Sequence, residues 1–231
     1  MKNYLVIGAS RGIGLSITQN LVNEKHNVFA WSRTASAELK QLNVTFSSND
    51  VNSGNIDDAS LPDMLDGLVY CPGSINLKPF QRLTQQDFMT DMQINFLSAV
   101  KCIQFTLPRL RQSDGASILL FSTVAVGSGM TFHASIASAK GAVEGLVKSL
   151  SAEFAPKIRV NAIAPSLTQT SLAEKFLSSD EKKEAAGKRH PLQRYGTPKD
   201  IADMAQFLLS DKASWITGQV MHVDGGMSAI R

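Results

Sequence analysis

Short runs rich in β-branched and aromatic residues alternate along this chain with longer segments whose apolar positions recur every three to four residues. The short runs are NYLVIG, NVFAWS, NVTFSS, GLVYCP, ASILLFST, IRVNAIAP and QVMHVDG. The clearest helical segments cover residues 84 to 112, 134 to 155 and 198 to 209. Strands with little alternation, separated by amphipathic helices, predict a parallel sheet buried on both faces. The expected architecture is therefore α/β: one Rossmann-type, doubly wound domain over residues 1–231, with about seven strands. Weaker patterning from about 166 to 194 follows Pro165, at the carboxyl end of the sixth strand. Open α/β sheets bind ligands beyond the carboxyl ends of their strands, so this segment reads as a substrate flap. Its EKK run reads as a solvated helix face.

Composition narrows the partners. The 23 basic residues are dispersed among 20 acidic ones for a net charge of +3, which gives no basic stripe for nucleic acid. MKNYLVIGAS reaches a glycine too early for the apolar core of a signal peptide, and no apolar run has the length of a membrane span. Cys71 and Cys102 have neither CxxC spacing nor the look of a disulfide framework, so both read as free thiols in a reducing compartment. The expectation is a soluble cytoplasmic protein that binds neither membrane nor nucleic acid. No metal site is expected.

The first strand runs into Gly8-Ala9-Ser10-Arg11-Gly12-Ile13-Gly14 and then a helical pattern. Glycines there allow a tight turn, a close approach to a pyrophosphate, and a helix start whose free N–H groups attract anions. The spacing is GxxxGxG rather than GxGxxG. The second strand ends at Trp31-Ser32-Arg33, with no acid to bind ribose hydroxyls. Arg33 and Arg11 could grip a 2′-phosphate from two sides, which favours NADP(H); the alternative is that both are solvated surface residues.

Taken in order, these stretches resemble the short-chain dehydrogenase/reductase family over essentially the whole length. GASRGIG is similar to its cofactor turn, with Ile7 in place of a threonine before the first glycine. Asn49-Asp50-Val51 resembles the adenine-contacting Asp and its apolar neighbour, and Cys71-Pro72-Gly73 occupies the place of the NNAG motif. Asn95 matches the helix asparagine of the catalytic tetrad. Pro165, Thr168 and Thr170 align with a PGxIxT stretch around the nicotinamide carboxamide, with Ser166 in place of the glycine and Thr168 in place of the aliphatic residue. PLQRYGTPKDIADMAQFLLSDKASWITGQVMHVDGG is similar to the C-terminal signature. The resemblance implies a homodimer or homotetramer, built on the lysine helix and the long helix before it.

The same resemblance exposes a gap. In the family a serine, a tyrosine thirteen residues later and a lysine four residues further carry the reaction. Counting back from Lys140 puts Ile136 at the tyrosine and Thr123 at the serine. Isoleucine can neither donate nor accept a proton. Tyr4, Tyr70 and Tyr195 read as packing residues. His133 stands seven residues before Lys140, the Yx6K spacing of the enoyl-reductase branch with imidazole for phenol. It reads either as the replacement acid or as a histidine capping or packing at a helix entrance.

The catalytic expectation is thus Asn95, Thr123, His133 and Lys140, with Lys140 and Asn95 also contacting cofactor. The cofactor set is Gly8, Ser10, Arg11, Gly12, Ile13, Gly14, Ser32, Arg33, Asp50, Val51, Cys71, Pro72, Gly73, Pro165, Thr168 and Thr170. The function expected is NADPH-dependent reduction of a carbonyl or activated C=C in a small or carrier-bound substrate. The alternative is a catalytically silent NADP(H)-binding sensor or scaffold.

Overall fold

A computed structural model describes residues 1–53 and 56–230. All seven strands form: β1 (Asn3–Ile7), β2 (Asn27–Ser32), β3 (Thr45–Ser48), β4 (Gly67–Tyr70), β5 (Ala116–Phe121), β6 (Ile158–Pro165) and β7 (Val220–Val223). They pair in parallel in the order β3-β2-β1-β4-β5-β6-β7. Trp31 lies opposite Ile7 and Tyr70 opposite Ile7, so β1 ends level with both neighbours. The order reverses between β1 and β4. Chains leaving those two strands diverge, and a crevice opens between them at their carboxyl ends.

The helices in chain order are α1 (Gly12–Asn23), α2 (Ala37–Lys40), α3 (Gln85–Met92), α4 (Ser98–Leu110), α5 (Val124–Ser128), α6 (Ala134–Phe154), α7 (Asp180–Lys188) and α8 (Pro198–Leu209). Residues on alternate sides of each strand feed two cores. Leu5, Ile7, Trp31, Leu68 and Ile118 pack toward α4 and α6, whereas Tyr4, Val6, Val28, Val69 and Leu119 pack toward α1 and α8. Strands buried on both faces explain why their sequences read as continuous apolar runs. No helix among the described residues is long and apolar enough to cross a membrane.

The segment 84 to 112, read as one helix, differs in detail. It starts at a capping box in which Thr84 and Asp87 exchange bonds, and a π-helical turn at Gln93–Leu97 separates α3 from α4. The apolar period runs through that turn almost unchanged, so the sequence pattern does not reveal it. The widened turn carries Asn95, and such insertions are frequent at functional sites.

Candidate active site

The glycine turn sits at the switch point. Gly8 has φ +81°, a conformation costly for side-chain-bearing residues, and its N–H donates to the Trp31 carbonyl at 2.8 Å. A Cβ on Gly14 would stand 2.3 Å from the Gly8 carbonyl oxygen. Glycine here is required by contact with backbone, which cannot move aside. Arg11 caps the start of α1 in extended conformation, and both it and Arg33 are exposed. Among the described residues neither makes an ion pair closer than 4 Å, although Arg11 contributes to holding the Glu38 carboxyl below its usual range after the hydrogen bonds to that group. Ser32 Oγ donates to the Thr34 carbonyl at 3.0 Å, which keeps the end of β2 turned without adding charge.

Next to the turn lies a cavity of about 790 Å³. It brings together Ile13, Cys71, Gly73, Asn95, Thr123, His133, Lys140, Pro165, Thr168 and Thr170 from the expected set. Gly8, Ser10, Arg11, Gly12, Gly14, Ser32, Arg33, Asp50, Val51 and Pro72 are outside its lining. Gly8 and Gly12 nonetheless border it. A Cβ on Gly8 would meet Cys71 and Pro72 at 3.2 Å, and one on Gly12 would meet Thr170 at 3.1 Å. Asp50 and Val51 follow β3 beyond the groove; Asp50 Oδ1 accepts from the Asn52 N–H at 3.0 Å, and Val51 is buried.

Lys140 is held at the base of the cavity. Its ammonium donates to the Phe121 carbonyl at 2.8 Å, and only 9% of the residue is exposed. Burial pushes the lysine down to about 8, opposed by nearby Cys71 and Asp91. Cys71 itself is pushed up to about 12 by burial, which leaves a neutral thiol beside the lysine.

The asparagine is locked. Asn95 Nδ2 donates to the Asp91 carbonyl at 2.8 Å and to Ser74 Oγ at 2.9 Å. Ser74 Oγ in turn donates to Asp91 Oδ1 at 2.5 Å, while Asp91 Oδ2 has no hydrogen-bond partner among the described residues. A Cβ on Gly73 would stand 3.0 Å from Asn95 Oδ1 and 3.8 Å from Lys140 Nζ, so these two polar groups converge over that glycine. Ser74 and Asp91 were not legible from sequence; only their join to Asn95 identifies them.

Thr123 follows β5 by two residues and caps α5: its Oγ1 accepts from the Ala125 N–H at 3.3 Å, leaving its proton for a ligand. The adjacent Ser122 is committed to Glu144 at 2.5 Å. Ile136 is 5% exposed and adds an apolar patch to the wall. None of the three tyrosines lines the cavity. Tyr4 is core, and Tyr70 donates to the Ile94 carbonyl at 2.7 Å with its ionisation pushed up by burial.

His133 is the N-cap residue of α6 rather than a residue within the helix, and it faces the cavity half-buried. Its Nδ1 lies 2.7 Å from the Thr131 carbonyl, which can only accept, so Nδ1 carries the hydrogen. Nε2 is then the atom left for a ligand. A second histidine escaped the sequence reading. His190 is buried, with Nδ1 2.7 Å from the Ala186 carbonyl and Nε2 2.8 Å from Ser166 Oγ. Ser166 Oγ also donates to the Met227 sulfur at 3.0 Å. The pair of Ser166 and His190 spans 24 residues with no local periodicity, so no sequence signal could have joined them.

The segment 166 to 194 covers the cavity with a 3₁₀ turn at Ser171–Phe176 and with α7. The EKK run is the solvated helix face it was read as, with Glu181 and Lys182 exposed and Lys183 half-buried. Lys182 also borders the open cavity, whereas Glu181 and Lys183 do not.

Residues 8–228 match the family model described as enoyl-(acyl carrier protein) reductase. The chain is 37% identical over 244 residues to the 3-oxoacyl-(acyl-carrier-protein) reductase FabG of Staphylococcus aureus, covering 98% of each protein. Its fold is similar to that of ligand-free aldohexose dehydrogenase from Thermoplasma acidophilum, with a TM-score of 0.88 and 28% identity over 100% of this chain and 95% of that one. It is also similar to ElxO solved with NADP bound, at a TM-score of 0.85 and 27% identity over 98% and 99% of the two chains.

Proposed function

Because the chain belongs to the short-chain dehydrogenase/reductase family of oxidoreductases, we propose that it is an NADPH-dependent reductase of a carbonyl or an activated C=C bond, working without the family's tyrosine. The observation that carries this reading is the convergence of Lys140, Asn95, Thr123 and His133 on one cavity beside the glycine turn.

NADPH supplies the hydride. Gly8 to Gly14 would receive the pyrophosphate at the start of α1, and Arg11 with Arg33 would hold the 2′-phosphate, since no carboxylate competes at the end of β2. Lys140 presents N–H donors to ribose hydroxyls, with one hydrogen committed to Phe121. Thr123 hydrogen-bonds through its hydroxyl to the substrate oxygen, keeping its proton, as charge builds there. His133, protonated on both nitrogens, keeps Nδ1–H on the Thr131 carbonyl and gives the Nε2 proton to the oxyanion or, through the enolate, to carbon. Ile136 keeps that end of the cavity dry. A conjugated enone depends least on a strong oxygen acid, and it is the preferred substrate class of this reading.

The same isoleucine favours a second reading, a silent NADP(H)-binding protein. Titration with NADPH and NADH, followed by NADPH oxidation against ketones, quinones and enones, separates the two. Turnover of an enone supports the reductase. Tight NADPH binding with no turnover across the panel supports the silent protein.

A further inference from the structure

Helix α7 sorts its charges by face. Lys182, Ala185, Ala186 and Arg189 line the cavity, and their spacing of three, four and seven residues is that of one helical stripe. The remaining cations of the helix, Lys183 and Lys188, lie outside the lining and pair there with Asp180 at 3.0 Å and Glu184 at 2.5 Å. Lys182 and Arg189, which border the cavity while exposed to solvent, have no such partners. Among the described residues Arg189 makes no ion pair, and the Lys182 ammonium donates to the Ser178 hydroxyl at 2.9 Å and the Lys175 carbonyl at 3.2 Å. Lys175 also reaches the cavity, and no Asp or Glu lines it among the described residues.

These two cations at the rim of the cavity are separated by alanines, so the stripe between them is low and open to a ligand. Seven residues of helix place them about 10 Å apart along the axis. The same cavity has much apolar lining, including Ile75, Leu77, Met130, Ile136 and Phe176. A cavity of this kind suits a molecule with an apolar body and one anionic end.

We propose that the substrate is an amphipathic anion whose carboxylate or phosphate is held by Lys182 and Arg189 while its reducible group lies toward Lys140. The proposal rests on the reductase reading for the second half of that sentence; the anion site itself stands on the helix face. The anion has two possible sources, a carboxylate on the substrate or a phosphate on an arm that carries it.

Two matched pairs test this. One is the para-carboxylate of 4-phenyl-3-buten-2-one against its methyl ester; the other is acetoacetyl-4′-phosphopantetheine against acetoacetyl-pantetheine. Binding to the NADP⁺-loaded protein and NADPH oxidation are both followed, in the native chain and in Lys182→Gln/Arg189→Gln, whose exposed positions leave the core untouched. The charged member of at least one pair is expected to win by about tenfold or more, the scale of one hydrogen bond to a charged group. Which pair shows the preference identifies the source. The preference should vanish in the double variant and shrink with added salt, with NADPH affinity unchanged.

Equal binding of charged and neutral members, binding of neither, or a preference that survives in the double variant overturns the proposal. So does a double variant that loses NADPH affinity with the preference intact, because the cations would then serve the cofactor. If the binding preference holds but no NADPH is oxidised, the anion site is supported and the reductase reading fails.

Discussion

Replacing Lys140 by methionine should make the nucleotide-free protein more stable and its cofactor binding weaker. Burial lowers this lysine from 10.5 to about 8, equivalent to about 3 kcal/mol against the charged form at neutral pH. Methionine keeps the volume and removes the charge. It also leaves the Phe121 carbonyl without its 2.8 Å donor, a loss of about 1 kcal/mol. The net gain is about 1–2 kcal/mol, or a Tm rise of roughly 2–8 °C for a chain of this size. The sign with pH follows from the depressed value. Between about 8 and 10.5 the unfolded chain holds more protons on this lysine than the folded one, so native stability from this group rises with pH across that window. The advantage of Lys140→Met is therefore full below pH 8 and fades toward pH 10.5. Denaturant unfolding of both proteins at pH 7 and pH 10 without nucleotide measures it, with fluorescence titration of NADPH alongside. NADPH affinity at pH 7 should fall by about tenfold, as expected for a lost charged hydrogen-bond donor. A variant less stable at pH 7, or a stability gap unchanged at pH 10, would refute the argument that this lysine is retained against its own folding cost.

Gly14→Ala would force a methyl group to 2.3 Å from the Gly8 carbonyl oxygen, so it should lower Tm and abolish NADPH binding, measured by calorimetry and titration. Arg33→Ala should weaken NADPH by about tenfold with NADH unchanged, since only the 2′-phosphate loses a partner; equal losses for both nucleotides would remove Arg33 from that role. His133→Gln should cut kcat by about 10²-fold at constant NADPH affinity, the usual scale of general acid help. Stopped-flow single turnovers separate that loss from slow product release.

The strands were legible because a sheet covered on both faces demands uninterrupted apolar residues, and GASRGIG was legible because a tight turn against backbone demands glycine. His133 and Lys140 were related by their spacing of seven residues; both line the cavity, with His133 reaching it from the N-cap of α6 and not from within the helix. What escaped was set by contacts between distant segments. Asp91 is an ordinary helix aspartate in sequence, and only Ser74, arriving from the end of β4, makes it a buried partner of Asn95. His190 gains its neighbour Ser166 only when the cover folds back. Lys182 was read with its neighbours as one solvated run, and only the fold of the cover shows that it also borders the cavity.

The central claim is that hydride transfer proceeds in a site where isoleucine stands in the tyrosine's place. The most direct measurement is to incubate the native protein with NADPH doubly deuterated at C4 and 4-phenyl-3-buten-2-one bearing the para-carboxylate, then weigh the product by mass spectrometry. The account predicts one deuterium per product molecule, formed only when the protein is present and lost when Lys140 is replaced by methionine. Tight NADPH binding with no labelled product from this enone or from the ketone and quinone panel would contradict it.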